Sequence, residues 1–172
     1  MKRILNLGCG NDFYGTDRVD FVLTPAVTRL HNLELPLPYD PEIFDEVFAS
    51  HILEHIKNIG TFANECFRVL KKGGRLIIHT DNANYLPFSL FASHEHNAFL
   101  DKQYEGDAYK HEKSEDNHYH LFVSSHLEAL FKEFRHRKIS FTYGGRNWFN
   151  NILLHLLPKK MGAIGIQLEA IK

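Results

Sequence analysis

Cysteine is almost absent from this chain: Cys9 and Cys66 are the only two in 172 residues. Two cysteines this far apart build neither a disulfide framework nor a Cys-x-x-Cys metal pair. No apolar run approaches the ~18 residues of a membrane-spanning helix. Excess charge is missing too, since 20 Lys and Arg stand against 21 Asp and Glu. A surface without a basic bias disfavours a protein that lives on nucleic-acid phosphates. The stretch ahead of Gly8 is too short for the apolar region of a secretory leader, so the expectation is a soluble, cytoplasmic chain with no membrane partner. Internal repeats and low-complexity tracts are lacking as well. Hydrophobic residues reach 44%, enough for one buried core, and the expectation is a single domain over residues 1–172. Histidine is abundant, with twelve residues, so charge and binding should respond to pH below about 6.5.

Apolar runs and glycines punctuate the first half. Residues 3–7 are a short apolar run that meets Gly8-Cys9-Gly10, as a buried parallel strand does at a tight turn. Further strands are expected at 17–22, 28–33 and 44–50. Pro36, Pro38 and Pro41 keep the connection between the last two irregular. Ile59, Phe62, Ala63, Cys66, Val69 and Leu70 recur at helical spacing and predict a helix over 58–71, stopped by Gly73-Gly74 behind Lys71-Lys72. A strand at 75–80 follows. Residues 83–123 are irregular, aromatic and rich in histidine, and read as an inserted lid. Ser125 with Glu128 forms a capping-box signature ahead of Leu127, Leu130, Phe131 and Phe134. Alternation predicts strands at 138–143 and 165–171. Strands alternating with helices give an α/β class with a Rossmann-like, mostly parallel sheet, whose ligands bind beyond the carboxyl ends of the strands.

Four constellations carry chemistry. Gly8 and Gly10 allow a ligand to approach the main chain closely, although two glycines after a strand are more often only a turn. Phe13 occupies the place of the third glycine of the dinucleotide fingerprint, which argues against a nicotinamide or flavin cofactor. Asp20, ending the second strand, can accept both hydroxyls of a ribose, or it can be a solvated strand-end carboxylate; Asp17 is the reserve. His51-Ile52-Leu53-Glu54-His55 spells H-x-x-E-H, which on a helix would set two histidines and a base around zinc. Its blander reading is a strand-to-helix turn capped by Glu54 and His55. Finally, His94, His96, His111, His118, His120 and His126 sit among aromatic residues, as a polar lid more readily than as a metal site. Trp148 and residues 152–157 are either core or an exposed apolar face through which two copies could dimerise.

Taken in order, Leu5-Asn6-Leu7-Gly8-Cys9-Gly10, Leu35-Pro36-Leu37-Pro38, residues 44–55 and residues 66–76 resemble the successive blocks of class I S-adenosylmethionine-dependent methyltransferases, of the small type 11 branch. The resemblance spans about residues 3–82. It implies that Gly8, Cys9 and Gly10 pass under the methionine part of S-adenosylmethionine, that Asp20 holds the ribose, and that Asn32 with Leu33 meets the adenine. Ser50 and His51 would lie beside the methyl group. It also implies an antiparallel last strand. Only nine residues separate Gly10 from Asp20, too few for the family's usual first helix.

Methyl transfer from a sulfonium asks a protein mainly for alignment and exclusion of water, plus a base when the nucleophile is a hydroxyl. By position the base is His51, with Asp81 second; His79 also ends the fifth strand. The reading is therefore a methyltransferase acting on a small or sugar-like acceptor, with no metal assigned. Its rivals are a nucleoside-binding module without catalysis and an H-x-x-E-H zinc hydrolase.

Overall fold

The computed structural model describes residues 2–86, 118–143 and 155–172. Seven strands form one sheet: β1 (Ile4–Leu7), β2 (Asp17–Asp20), β3 (Arg29–Leu30), β4 (Phe44–Ser50), β5 (Leu70–Asp81), β6 (Arg135–Thr142) and β7 (Gly165–Ile171). Their order is β3-β2-β1-β4-β5-β7-β6. The first five are mutually parallel, while β7 runs antiparallel to both β5 and β6. The chain leaves β1 in one direction across the sheet and returns to β4 on its other side. That reversal makes the carboxyl ends of β1 and β4 the topological switch point, where open α/β sheets take their ligands.

One face of the sheet is apolar. Register places Leu5, Leu7, Val47, Ala49, Leu76, Ile78, Leu168 and Ala170 on it, all of them buried. They join a single core with Phe62, Cys66 and Val69 of α1 (Ile59–Val69) and Leu127 of α2 (Ser124–Leu130). α1 forms because its apolar residues repeat at three and four positions, and because the Asn58 side chain accepts a hydrogen bond from the Thr61 amide at its start. The opposite face alternates to polar: Glu46, Arg75, Glu169, Gln167, Lys138 and Ser140 occupy its register positions.

No helix stands between β1 and β2; residues 11–16 are a loop folded back on the sheet. Asn6, buried in β1, donates to the Asp12 carboxylate and the Tyr14 carbonyl. The Tyr14 ring meets Phe48 of β4 edge-on at 5.1 Å, and its hydroxyl donates to Glu46. That bond, with burial, pushes the phenol up to about 12. A short loop thus covers this part of the sheet.

Several expectations shift. α1 ends at Val69, because Leu70 is fully buried and pairs with Phe44; Gly73-Gly74 instead bend β5, where they exchange hydrogen bonds with Lys172. The capping box is not formed: α2 begins after Val123 with no side-chain cap. β6 starts at Arg135, three residues early, on an exposed edge. A one-turn helix, α3 (Lys159–Gly162), precedes β7. Most of the lid, residues 87–117, lies outside the described residues, as do Trp148 and residues 152–154; of the apolar tail, Leu156 is exposed. Among the described residues no helix is long and apolar enough to cross a membrane.

Candidate functional site

Because β1, β2, β4 and β5 are parallel, their carboxyl ends bring Gly8–Gly10, Asp20, Ser50–His51 and Asp81 to one edge of the sheet. The glycine turn and the strand-end carboxylate converge there. Asp20 accepts the Gly10 amide at 2.8 Å and the Val22 amide at 2.9 Å, one on each oxygen. Each oxygen keeps a lone pair for a further donor. Gly10 has φ +50° and open space where a Cβ would stand. Gly8 differs. Its φ is +69°, and a Cβ would lie 2.5–2.8 Å from the Ile52 side chain, so its lack of a side chain serves packing. Cys9 is buried, leaving only its main chain to face a ligand; burial, with Asp20 nearby, pushes its thiol above the usual range.

Asn32 follows His31, whose amide bonds the Asp20 carbonyl, so it sits beside the end of β2. One lone pair of its side-chain oxygen already accepts the Glu34 amide, and Leu33 is buried next to it. Ser50 closes β4 opposite His79, and His51 follows in the left-handed region at φ +51°. A non-glycine residue held there marks a turn or a functional constraint.

His51 Nδ1 lies 3.4 Å from Glu54 Oε1 and 3.5 Å from Asp81 Oδ1. Glu54 raises its pKa above the ordinary imidazole value, against burial, and Asp81 adds to the effect. Glu54 is 1% exposed. Burial pushes its carboxyl up, but His51, the Thr80 hydroxyl and a backbone amide together hold it below the usual range. Thr80 Oγ1 donates to Oε2 at 3.0 Å, whereas Oε1 has no hydrogen-bond partner; the His51 contact is close but poorly aligned. His118 Nδ1 stands 3.9 Å from Asp81 Oδ2, and its ring meets His55 edge-on at 4.7 Å. Burial, and His51 beside it, lower the pKa of His79. Among the described residues, two trios of metal-ligating type share Glu54: one with His55 and His118, the other with His51 and Asp81. A separate cleft between α1 and α2, lined by Phe67, Leu130 and Phe134 among others, is remote from these strand ends in the fold and carries none of this chemistry.

Residues 16–78 match the family model described as a methyltransferase domain. The fold agrees with solved S-adenosylmethionine-dependent enzymes. A methyltransferase from Archaeoglobus fulgidus superposes with a TM-score of 0.63 at 17% identity, over 99% of this chain and 86% of that one. Phosphoethanolamine N-methyltransferase 2 of Haemonchus contortus, in complex with S-adenosyl-L-methionine, gives 0.67 at 15% identity, over 99% and 48%. This is the class I methyltransferase fold. Its curated relatives include the mitochondrial ubiquinone biosynthesis O-methyltransferase of Rattus norvegicus, 42% identical over 62 residues, and that of Bradyrhizobium sp. (strain ORS 278), 42% over 52 residues. These matches cover 36% and 30% of this chain but only 18% and 21% of those proteins.

No helix separates β1 from β2, in line with the short Gly10–Asp20 spacing. The H-x-x-E-H string does not sit on a helix. Leu53–His55 is one 3-10 turn, separated by Ile52 from the left-handed His51, so the helical two-histidine geometry of a zinc hydrolase is not made. Glu54 and His118 were undervalued in sequence. Glu54 stood in the sequence as a turn cap and His118 as one histidine of the lid; the approach of His118 depends on Tyr119 and His120 donating their amides to the Glu54 carbonyl.

Proposed function

We propose that the protein transfers a methyl group from S-adenosylmethionine to a small, hydroxyl-bearing acceptor of sugar-like or phenolic type. One observation carries this reading: Gly10 and Asp20 meet at the topological switch point, on the same sheet edge as His51 and Asp81. Bound there, the cofactor would supply an electrophilic methyl on a sulfonium. The chain's own residues fit it. The open main chain at Gly10 admits its close approach, the Asp20 oxygens take the ribose hydroxyls, and Asn32 with Leu33 borders the adenine. Ser50 and His51 flank the reacting end, and Cys9 contributes main chain only.

His51 is the base. Its Nδ1 faces two carboxylates, which leaves Nε2 for the acceptor hydroxyl. His51 would take the proton of the acceptor hydroxyl, and Asp81, 3.5 Å from its Nδ1, would stabilise the resulting imidazolium. The whole chain acts as one domain. Cytoplasmic residence, and a homodimer formed through the C-terminal segment, belong to the same proposal. Calorimetric titration with S-adenosylmethionine and S-adenosylhomocysteine tests it, followed by turnover against a panel of small alcohols and phenols. Absence of heat with both compounds defeats the reading; binding without turnover on any acceptor leaves the nucleoside-binding module.

A further inference from the structure

Glu54 is a buried carboxylate whose second oxygen has no hydrogen-bond partner. Burying a carboxylate costs several kcal/mol unless it is well compensated, and the imidazole nearest to Oε1, His51 Nδ1 at 3.4 Å, belongs to a side chain 59% exposed and makes no aligned hydrogen bond to it. Thr80 satisfies one oxygen only. Around Glu54 a carboxylate oxygen and one ring nitrogen each from His55 and His118 lie within 4.8 Å of one another, and none of the three residues is exposed. The other trio around the same carboxylate includes His51, whose side chain is 59% exposed.

We propose that Glu54, His55 and His118 bind one first-row divalent cation, with zinc as the natural occupant. Two imidazoles and a carboxylate suit zinc and its borderline neighbours, and they disfavour calcium and magnesium, which require oxygen ligands. Ligand atoms on a tetrahedral zinc stand about 3.4 Å apart. Modest rotation of two imidazoles closes the remaining gap. The backbone is already in place. Tyr119 and His120 donate their amides to the Glu54 carbonyl, at 2.8 and 3.2 Å, and fix the residue following His118 on the turn that carries the other two ligands. Phe122 accepts the Ala83 amide and bridges Asn82, which ties the same segment to the end of β5. The ion would clamp segment 118–122 onto the carboxyl end of β4. This site is distinct from the helix-borne pair of a zinc hydrolase, because one ligand arrives from more than 60 residues downstream. The inference stands apart from the methyl-transfer reading.

The test uses the full chain without an affinity tag. Zinc is titrated by calorimetry, and cobalt is substituted to report coordination through its visible absorption. One ion per chain with micromolar or tighter affinity is expected. His55→Ala, His118→Ala and Glu54→Gln should each weaken binding by at least the ten- to hundredfold that even outer-shell partners are worth. His126→Ala should leave it within a few-fold. Circular dichroism establishes that each variant is folded, and a variant that fails to fold is replaced by His118→Gln. No stoichiometric binding overturns the proposal. So does binding that survives both His55→Ala and His118→Ala, which would place the ion among other histidines, or binding that is lost only with His51→Asn. Titration of S-adenosylhomocysteine into the zinc-free chain keeps the two readings separable, since cofactor binding does not require the ion.

Discussion

Replacing Gly8 by alanine would load two penalties onto one position. At φ +69° an L-residue with a Cβ costs roughly 1–2 kcal/mol relative to glycine. The new methyl would also sit 2.5, 2.7 and 2.8 Å from three carbons of Ile52, one of them its Cβ, which cannot swing away as a side-chain terminus could. Overpacking of that kind costs typically 1–3 kcal/mol. The sum, about 2–5 kcal/mol, is a large part of the 5–15 kcal/mol that stabilises a typical domain. For a chain of this size it corresponds to a fall in Tm of roughly 4–20 °C. Urea denaturation of wild type, Gly8→Ala, Ile52→Ala and the double variant measures it. Ile52→Ala removes Cγ1 and Cδ1 but keeps the Cβ at 2.7 Å, so the double variant should recover only part of the clash, as a coupling energy of about 1 kcal/mol, while the backbone component and the Cβ contact remain. A Gly8→Ala protein as stable as wild type, or a double variant with purely additive losses, would refute the assignment of Gly8 to packing. Gly10→Ala is the control: with open space around it, that variant should carry only the backbone penalty.

Other outcomes follow from the same geometry. Asp20→Asn keeps an acceptor oxygen for a loop amide but loses the charge, so S-adenosylhomocysteine affinity measured by calorimetry should fall by about 1–3 kcal/mol; unchanged affinity would make Asp20 a loop brace only. His51→Asn tolerates the left-handed backbone, so kcat should drop by about 10²–10⁴-fold with cofactor affinity nearly constant, and an equal loss of both would indicate a packing role. Arg68 donates to the Glu65 carboxylate and to the Leu37 and Tyr39 carbonyls, so Arg68→Met should destabilise the fold by about 1–3 kcal/mol in urea. Arg68 holds the Glu65 carboxyl below its ordinary 4.5 despite burial, aided by the Leu37 amide. A depressed folded value contributes stability that is present above 4.5 and is lost as pH falls through the lower folded value. Denaturation at pH 7, 5, 4 and 3 should therefore show a shallower acid loss in the Arg68→Met protein; parallel curves would contradict the assignment.

Local pattern was enough wherever burial and period agreed. β4 occupies residues 44–50 and β7 residues 165–171, as their alternation indicated, because one face of each meets the core and the other is polar. The absent first helix was legible in arithmetic alone. Failures arose where a distant residue decides. The helix stop at Gly73-Gly74 yielded to Leu70, which gains more by full burial against β4 than by one further helical turn. The polar opening of β6 at Arg135-His136-Arg137 concealed an edge strand, whose exposed side chains give no alternation. At the site, Gly10 and Asp20 meet as the spacing suggested, and Gly8 carries a further demand that its sequence neighbours do not announce, the Ile52 side chain packed where a Cβ would stand. Glu54 illustrates the general difficulty. Nothing in its neighbours announces that Thr80 and His118, remote in sequence, turn a cap residue into a hub.

The loop between β1 and β2 has one more implication. A helix laid across a sheet is anchored by hydrocarbon contact, which changes little with acidity or ionic strength. Here the floor beneath Gly10 is fastened by polar links, Asn6 to Asp12 and Tyr14, Tyr14 to Glu46, and Thr16 to Ile4. Its firmness therefore rests largely on polar links, beside the one ring contact of Tyr14 with Phe48, and is local in extent. The edge that faces the ligand can loosen when those polar links weaken, while the oily layer on the far side of the strands stays intact.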